Sequence, residues 1–129
     1  NNAGFGIVDA HIEIEPAQIN RMLQLNVVAV AELCRCYGEP MKQRRAGRIL
    51  NVASTAAFQP TPYFAAYGAS KAFVLNFSEA LAKEMEDYGV SVSCLAPGPT
   101  DTAFFNSVDP QRIDGGHFFR QEGRGDLQA

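Results

Sequence analysis

The chain has 129 residues, 47% hydrophobic and 19% charged, an ordinary composition for one globular domain with one core. Eleven Lys and Arg against fourteen Asp and Glu give a net charge of −3 and a pI near 5.3, without a long basic run, which argues against a nucleic-acid or other polyanionic partner. Three cysteines cannot all pair internally, and no stretch reads as a secretory leader or an apolar run of membrane length, so the expected setting is the cytoplasm.

In chain order, Asn1-Asn2-Ala3-Gly4 comes first, followed by a surface loop over residues 5–15. His11, Glu13 and Glu15 alternate there, but alternation aligns side chains only on a strand and no further ligand accompanies them, so a solvated loop is expected rather than a metal site. From Pro16, suited to a first helical position, Ile19, Met22, Leu23, Val30 and Leu33 recur at helical spacing. Asn26 falls on that stripe, and spacing alone favours a buried amide satisfied by neighbouring backbone. Gly38 and Pro40 should bend or end this helix, with Ala46-Gly47 terminating what remains. The local basic run Gln43-Arg44-Arg45 suits a helical last turn.

Arg48 to Ser54 reads as a strand, apolar enough to be covered on both faces, ending in a polar residue at its tip. A short loop with Pro60 and Pro62 leads to a second helix from about Tyr63 to Tyr88, carrying Ala66, Ala69, Phe73, Phe77, Leu81 and Met85 on its apolar side and stopped by Gly89. Val90 to Ala96 is the next strand, broken by Pro97-Gly98-Pro99. Strand, helix, strand implies parallel neighbours whose tips, at Asn2, Ser54 and Ala96, emerge on one edge of the sheet, where open α/β sheets bind ligands.

The helix that starts beside those tips holds Tyr67 and Lys71. Residues four apart share a helical face, about 6 Å apart along the axis, so an ammonium can stand beside the ligand that the phenol touches. A nearby cation favours the phenolate, by roughly one to three units from about 10, which would let Tyr67 trade protons near neutrality. Ser54 could donate a hydrogen bond to an oxygen on which charge grows. Tyr63, one turn earlier, has no lysine four residues beyond it.

Asn1-Asn2-Ala3-Gly4, Leu25-Asn26-Val27, Asn51-Val52-Ala53-Ser54, Tyr67-x-x-x-Lys71 and Pro97-Gly98-Pro99-Thr100 together resemble, in order and spacing, the short-chain dehydrogenase/reductase family over roughly residues 1–105. The resemblance implies the second half of a doubly wound, Rossmann-type α/β domain with a parallel sheet and long crossover helices, and residues 106–129 as a substrate lid or flexible tail. It implies reversible hydride transfer between NAD or NADP and a small-molecule carbonyl or secondary alcohol, with Asn26, Ser54, Tyr67 and Lys71 as the catalytic set. Asn26 would hold a relay water through its main chain. Asn2, Ala3, Gly4, Tyr67, Lys71, Pro97, Gly98, Thr100 and Thr102 would contact the cofactor, and a homo-oligomer would form through the two helices.

No Gly-x-Gly-x-x-Gly phosphate loop occurs in the 129 residues, and Gly4-Phe5-Gly6 lacks the third glycine. The chain is therefore expected to be cut at both ends and, alone, to bind NAD(P) poorly and turn over slowly if at all. The alternative is a non-catalytic interaction module or inactive truncated product that retains the family's second half. Phe104, Phe105, Phe118 and Phe119 would suit a lid over an apolar substrate or a core contact equally. Asn76-Phe77-Ser78 and Arg124-Gly125-Asp126 read as coincidental glycosylation and adhesion signals.

Overall fold

The computed structural model describes residues 1–98. Thr100, Thr102, the four phenylalanines of the expected lid, the Arg124-Gly125-Asp126 tripeptide and the whole of 106–129 lie outside the described residues.

Residues 16–44 form one long helical run in three parts: α1 (Pro16–Leu23), a wide π-helical turn (Gln24–Val28) and α2 (Ala29–Arg44). The buried positions are Met22, Asn26, Val30, Cys34 and Gly38, a stripe stepping by four. An α-helix overshoots a full turn by about 40° at each such step, and the wide turn at 24–28 takes part of that drift back, keeping the stripe on the core. Helicity runs through Gly38 and Pro40 to Arg44, against the expected break. Pro40 costs the Cys36 carbonyl its donor, but both residues are exposed, so water can serve that carbonyl. Arg45, at φ 55, makes the left-handed cap assigned by sequence to Ala46-Gly47.

β1 (Gly47–Val52) and β2 (Val90–Leu95) pair in parallel, from Gly47 opposite Val90 to Val52 opposite Leu95. Asn1 lies along the other edge of β1, its nitrogen donating to Leu50 O (2.6 Å) while Val52 N donates to Asn1 O (3.1 Å). Helix α3 (Ala65–Met85) connects the strands, two residues shorter at its start than expected, and a 3₁₀ turn (Glu86–Tyr88) leads to Gly89 at φ 68. Tyr63 lies before the helix at φ 64, in the left-handed region that a side chain rarely adopts.

The core gathers Val30 and Cys34 of α2, Ile49 and Ala53 of the first strand segment and Val74 of α3, with Phe77, Leu81 and Val92 against it. Both helices cover the same face of the sheet. Among the described residues β1 is therefore covered on one face rather than on both as expected: Ile49 and Asn51 are buried, while Leu50 is 52% exposed, and Leu95 of β2 is 54% exposed. His11 sits in a short 3₁₀ turn (His11–Glu13) and is exposed, and no group of metal-binding side chains stands together among the described residues. No described helix is long and apolar enough to cross a membrane.

Candidate active site

The C-terminal ends of the strands and the start of α3 bring most of the singled-out residues to one place. Ala53 N donates to Leu95 O (2.7 Å) and Thr55 N to Pro97 O (3.2 Å), so the chain past β1 stays beside the chain past β2. Ser54 follows at the tip with an extended backbone. Its hydroxyl accepts from Ala56 N (3.2 Å), capping the 3₁₀ turn Thr55–Phe58, and its side chain is close enough to the Tyr67 phenol to favour the phenolate. The loop then returns through Pro60 and Pro62. Gly68 lets α3 begin against that loop, since a Cβ there would collide with Thr61 Oγ1.

Tyr67 stands in the first turn of α3, its ring edge-on to buried Phe64 at 5.2 Å between centroids. Lys71, one turn on and 8% exposed, reaches back under the strand end, where Nζ donates to Val52 O (3.3 Å) and lies 5.8 Å from the Tyr67 ring centroid. The two side chains thus share a face, as the spacing predicts. Lys71 is nevertheless not the main influence on the phenol. Burial raises the Tyr67 pKa above its ordinary value, and the Ser54 side chain only partly offsets this. Burial likewise lowers Lys71, opposed by the neighbouring Cys94 sulfur. The expected depression of Tyr67 by Lys71 is therefore absent: desolvation dominates at the phenol.

Asn26 is fully buried beneath the same site. Its Nδ2 donates to Phe5 O (2.8 Å) and Ser70 Oγ (3.2 Å), and its Oδ1 accepts from Phe5 N (3.1 Å). This is the backbone-satisfied amide that the spacing favoured, and it fixes the loop after Gly4. A Cβ on Gly4 would come within 2.8 Å of Asn26 Oδ1 and 3.4 Å of Lys71 Nζ, so glycine is what lets the N-terminal segment approach the lysine. Asn2 and Ala3 are exposed beside it, and a Cβ on Gly98 would have no atom within 4 Å. Gly4, Asn26, Ser54, Tyr67, Lys71 and Pro97 thus gather at the strand ends.

Two buried groups went unassigned in the sequence. Ser70 Oγ donates to Tyr67 O (2.6 Å) while accepting from Asn26. Asn51, fully buried, donates to Ser78 Oγ (2.9 Å) and accepts from Asn1 Nδ2 (3.0 Å), with Cys34 Sγ at 3.6 Å. Both contacts join distant segments, so no local spacing announces them. A polar residue interrupting an apolar run, as Asn51 does between Leu50 and Val52, was the available signal.

The family model described as short chain dehydrogenase matches residues 1–113. A "Probable oxidoreductase EphD" of Mycobacterium tuberculosis is 33% identical over 123 residues, covering 89% of this chain and 21% of its own length. Among solved structures, a putative NAD(P)-dependent gluconate 5-dehydrogenase from Beutenbergia cavernae with bound NADP aligns at 35% identity and TM-score 0.79, over 85% of this chain and 45% of that one. A short-chain dehydrogenase from Sphingobium yanoikuyae in complex with NADPH aligns at 30% identity and TM-score 0.79, over 82% and 41%. The chain thus spans less than half the length of these relatives. They share its parallel Rossmann-type α/β fold.

Proposed function

The chain belongs to the short chain dehydrogenase family, and from that premise we propose that the protein carrying it is an NAD- or NADP-dependent oxidoreductase of small-molecule carbonyls or secondary alcohols, with Tyr67 as its acid and base. The observation that supports this most is the Lys71 ammonium 5.8 Å from the Tyr67 ring and hydrogen-bonded to Val52 O, with Ser54 following at the tip of the same strand, at the open end of the parallel pair. Nothing in the packing of the core needs these three polar side chains together there.

Bound NAD or NADP would supply the hydride donor or acceptor and, when oxidised, a positive charge beside the phenol. Asn2, Ala3, Gly4, Lys71, Pro97 and Gly98 fit its nicotinamide half: Gly4 leaves room for close backbone approach, Gly98 faces open space, and the Lys71 ammonium has three donors of which Val52 O takes one. By the family resemblance Thr100 and Thr102 would contact the cofactor as well. Ser54 donates to the substrate oxygen and stabilises its developing charge. Tyr67 gives the proton to that oxygen in reduction and takes it in oxidation, a role worth about 10²–10⁴-fold in rate. Burial holds the phenol protonated, so release near neutrality depends on the positive charge that oxidised NAD or NADP would bring beside it. Asn26, in the π-helical turn Gln24–Val28, would offer its main-chain carbonyl to the relay water.

The same reading places a homo-oligomer on the outward faces of α2 and α3. An open groove between the 55–62 loop and α3 is lined by Phe58, Pro60, Ala65, Ala69 and Ala72, and Phe73 and Tyr37 are also exposed. The direct experiment is to mix the full-length gene product with NADH or NADPH and a panel of ketones and aldehydes and follow cofactor absorbance. Substrate-dependent oxidation is expected. Cofactor binding with no turnover by any carbonyl or alcohol would instead favour the interaction-module alternative.

A further inference from the structure

Ser70 is 1% exposed, yet its hydroxyl joins two walls of the candidate site. On one side Asn26 holds both polar groups of the Phe5 peptide, N–H and C=O, and so fixes the segment that begins at Gly4. On the other, Ser70 Oγ donates to the carbonyl of Tyr67. Asn26 Nδ2 completes the chain with its second proton, at 3.2 Å from Ser70 Oγ. Every donor in this chain is used: both amide protons of Asn26 and the one hydroxyl proton of Ser70. A network so fully satisfied has one arrangement, and buried hydrogen bonds in a low dielectric make departures from it costly.

A serine inside a helix ordinarily bonds back to its own preceding turn with little consequence beyond a slight bend. Here that turn is the one carrying Tyr67 and Lys71, and the second partner of the hydroxyl belongs to a different element. Resting on the oxidoreductase reading above, we propose that Ser70 is a positioning residue: through the Asn26 amide it clasps the Tyr67–Lys71 turn to the Phe5 peptide, setting the distance between the proton-transfer groups and the wall that faces the cofactor. Ser70 itself touches no substrate. Misplacement by a fraction of an ångström at such a junction is felt in the chemical step more than in binding.

Helix α3 supplies its own control. Ser78 is equally buried and accepts from the amide of Asn51 at 2.9 Å, but its network ends in Asn1 and Cys34 rather than at the site. The test compares Ser70→Ala with Ser78→Ala in the full-length gene product. Amide hydrogen exchange should accelerate about tenfold in Ser70→Ala over both residues 4–6 and residues 64–71, and in neither segment for Ser78→Ala. Under turnover, Ser70→Ala should lower kcat about tenfold with KM for the carbonyl substrate within about twofold, while Ser78→Ala leaves kcat unchanged. Equal kcat losses in the two variants, or faster exchange confined to α3 in Ser70→Ala, would overturn the proposal. Coupled exchange in a protein that reduces no carbonyl would uphold the clasp and strike only the oxidoreductase reading.

Discussion

Helix α3 meets two buried asparagines about two turns apart, and the residue types at the two junctions are the same while their destinations are not. At Asn51 and Ser78 the hydrogen bonds run to Asn1 and to Cys34, tying β1, α2 and α3 into one body. At Asn26 and Ser70 they run to the backbone of Phe5 and Tyr67, beside Gly4 and Lys71. A buried amide–hydroxyl pair therefore says little about function by itself. What its remaining hydrogen bonds hold decides whether its loss is felt as instability or as misplaced chemistry.

The largest effect that should separate the two regions is at Tyr67. Tyr67→Phe in the full-length protein removes the proton donor without disturbing the ring contact with Phe64, so kcat should fall about a thousandfold while NAD(P)H affinity and the melting temperature hardly change. Steady-state kinetics and cofactor titration check this. A variant that kept a tenth of wild-type activity would erase the distinction between the regions.

Asn51→Ala should do the reverse. It leaves the partners of a fully buried amide unsatisfied, and a loss of about 2–3 kcal/mol in chemical denaturation is expected, with kcat below the melting transition unaltered. Gly4→Ala falls between the two. Its methyl would press on Asn26 Oδ1, which is locked by Phe5 N and cannot swing away, so about 1–2 kcal/mol of stability should be lost together with affinity for NAD(P)H. Unchanged cofactor binding in that variant would detach the Asn26 region from the site. The smallest change belongs to the loop outside both regions: Tyr63→Gly removes a left-handed strain and should stabilise the protein by about 0.5–1 kcal/mol, read as a small rise in melting temperature.

Much of this was legible in the sequence where the signal is local. The spacing of Tyr67 and Lys71 gave their shared face, the apolar runs gave both parallel strands, and Gly89 gave the end of the helical segment. Asn26 was read two ways, as a buried satisfied amide and as a relay residue, and its side chain does the first. What escaped depends on neighbours distant in sequence. Pro40 stays within α2 because its cost falls on the solvent side, which periodicity does not reveal. The first strand looked doubly covered because Ile49 and Leu50 are both apolar, yet the two long helices lie on one face and Leu50 is exposed. The clasp at Ser70 is a meeting of three segments, and the pKa of Tyr67 is set by how deeply those segments bury it rather than by the lysine four residues away.

That last point gives the most direct test of Tyr67 as the proton-transfer group. The ultraviolet difference titration of the full-length protein, wild type minus Tyr67→Phe, isolates the ionisation of this one phenol. Because burial disfavours its anion, the midpoint should lie above the ordinary value of 10.0 without cofactor, and it should fall when oxidised NAD or NADP brings a positive charge beside the ring. A midpoint that stays above 10.0 with saturating oxidised cofactor would contradict the account.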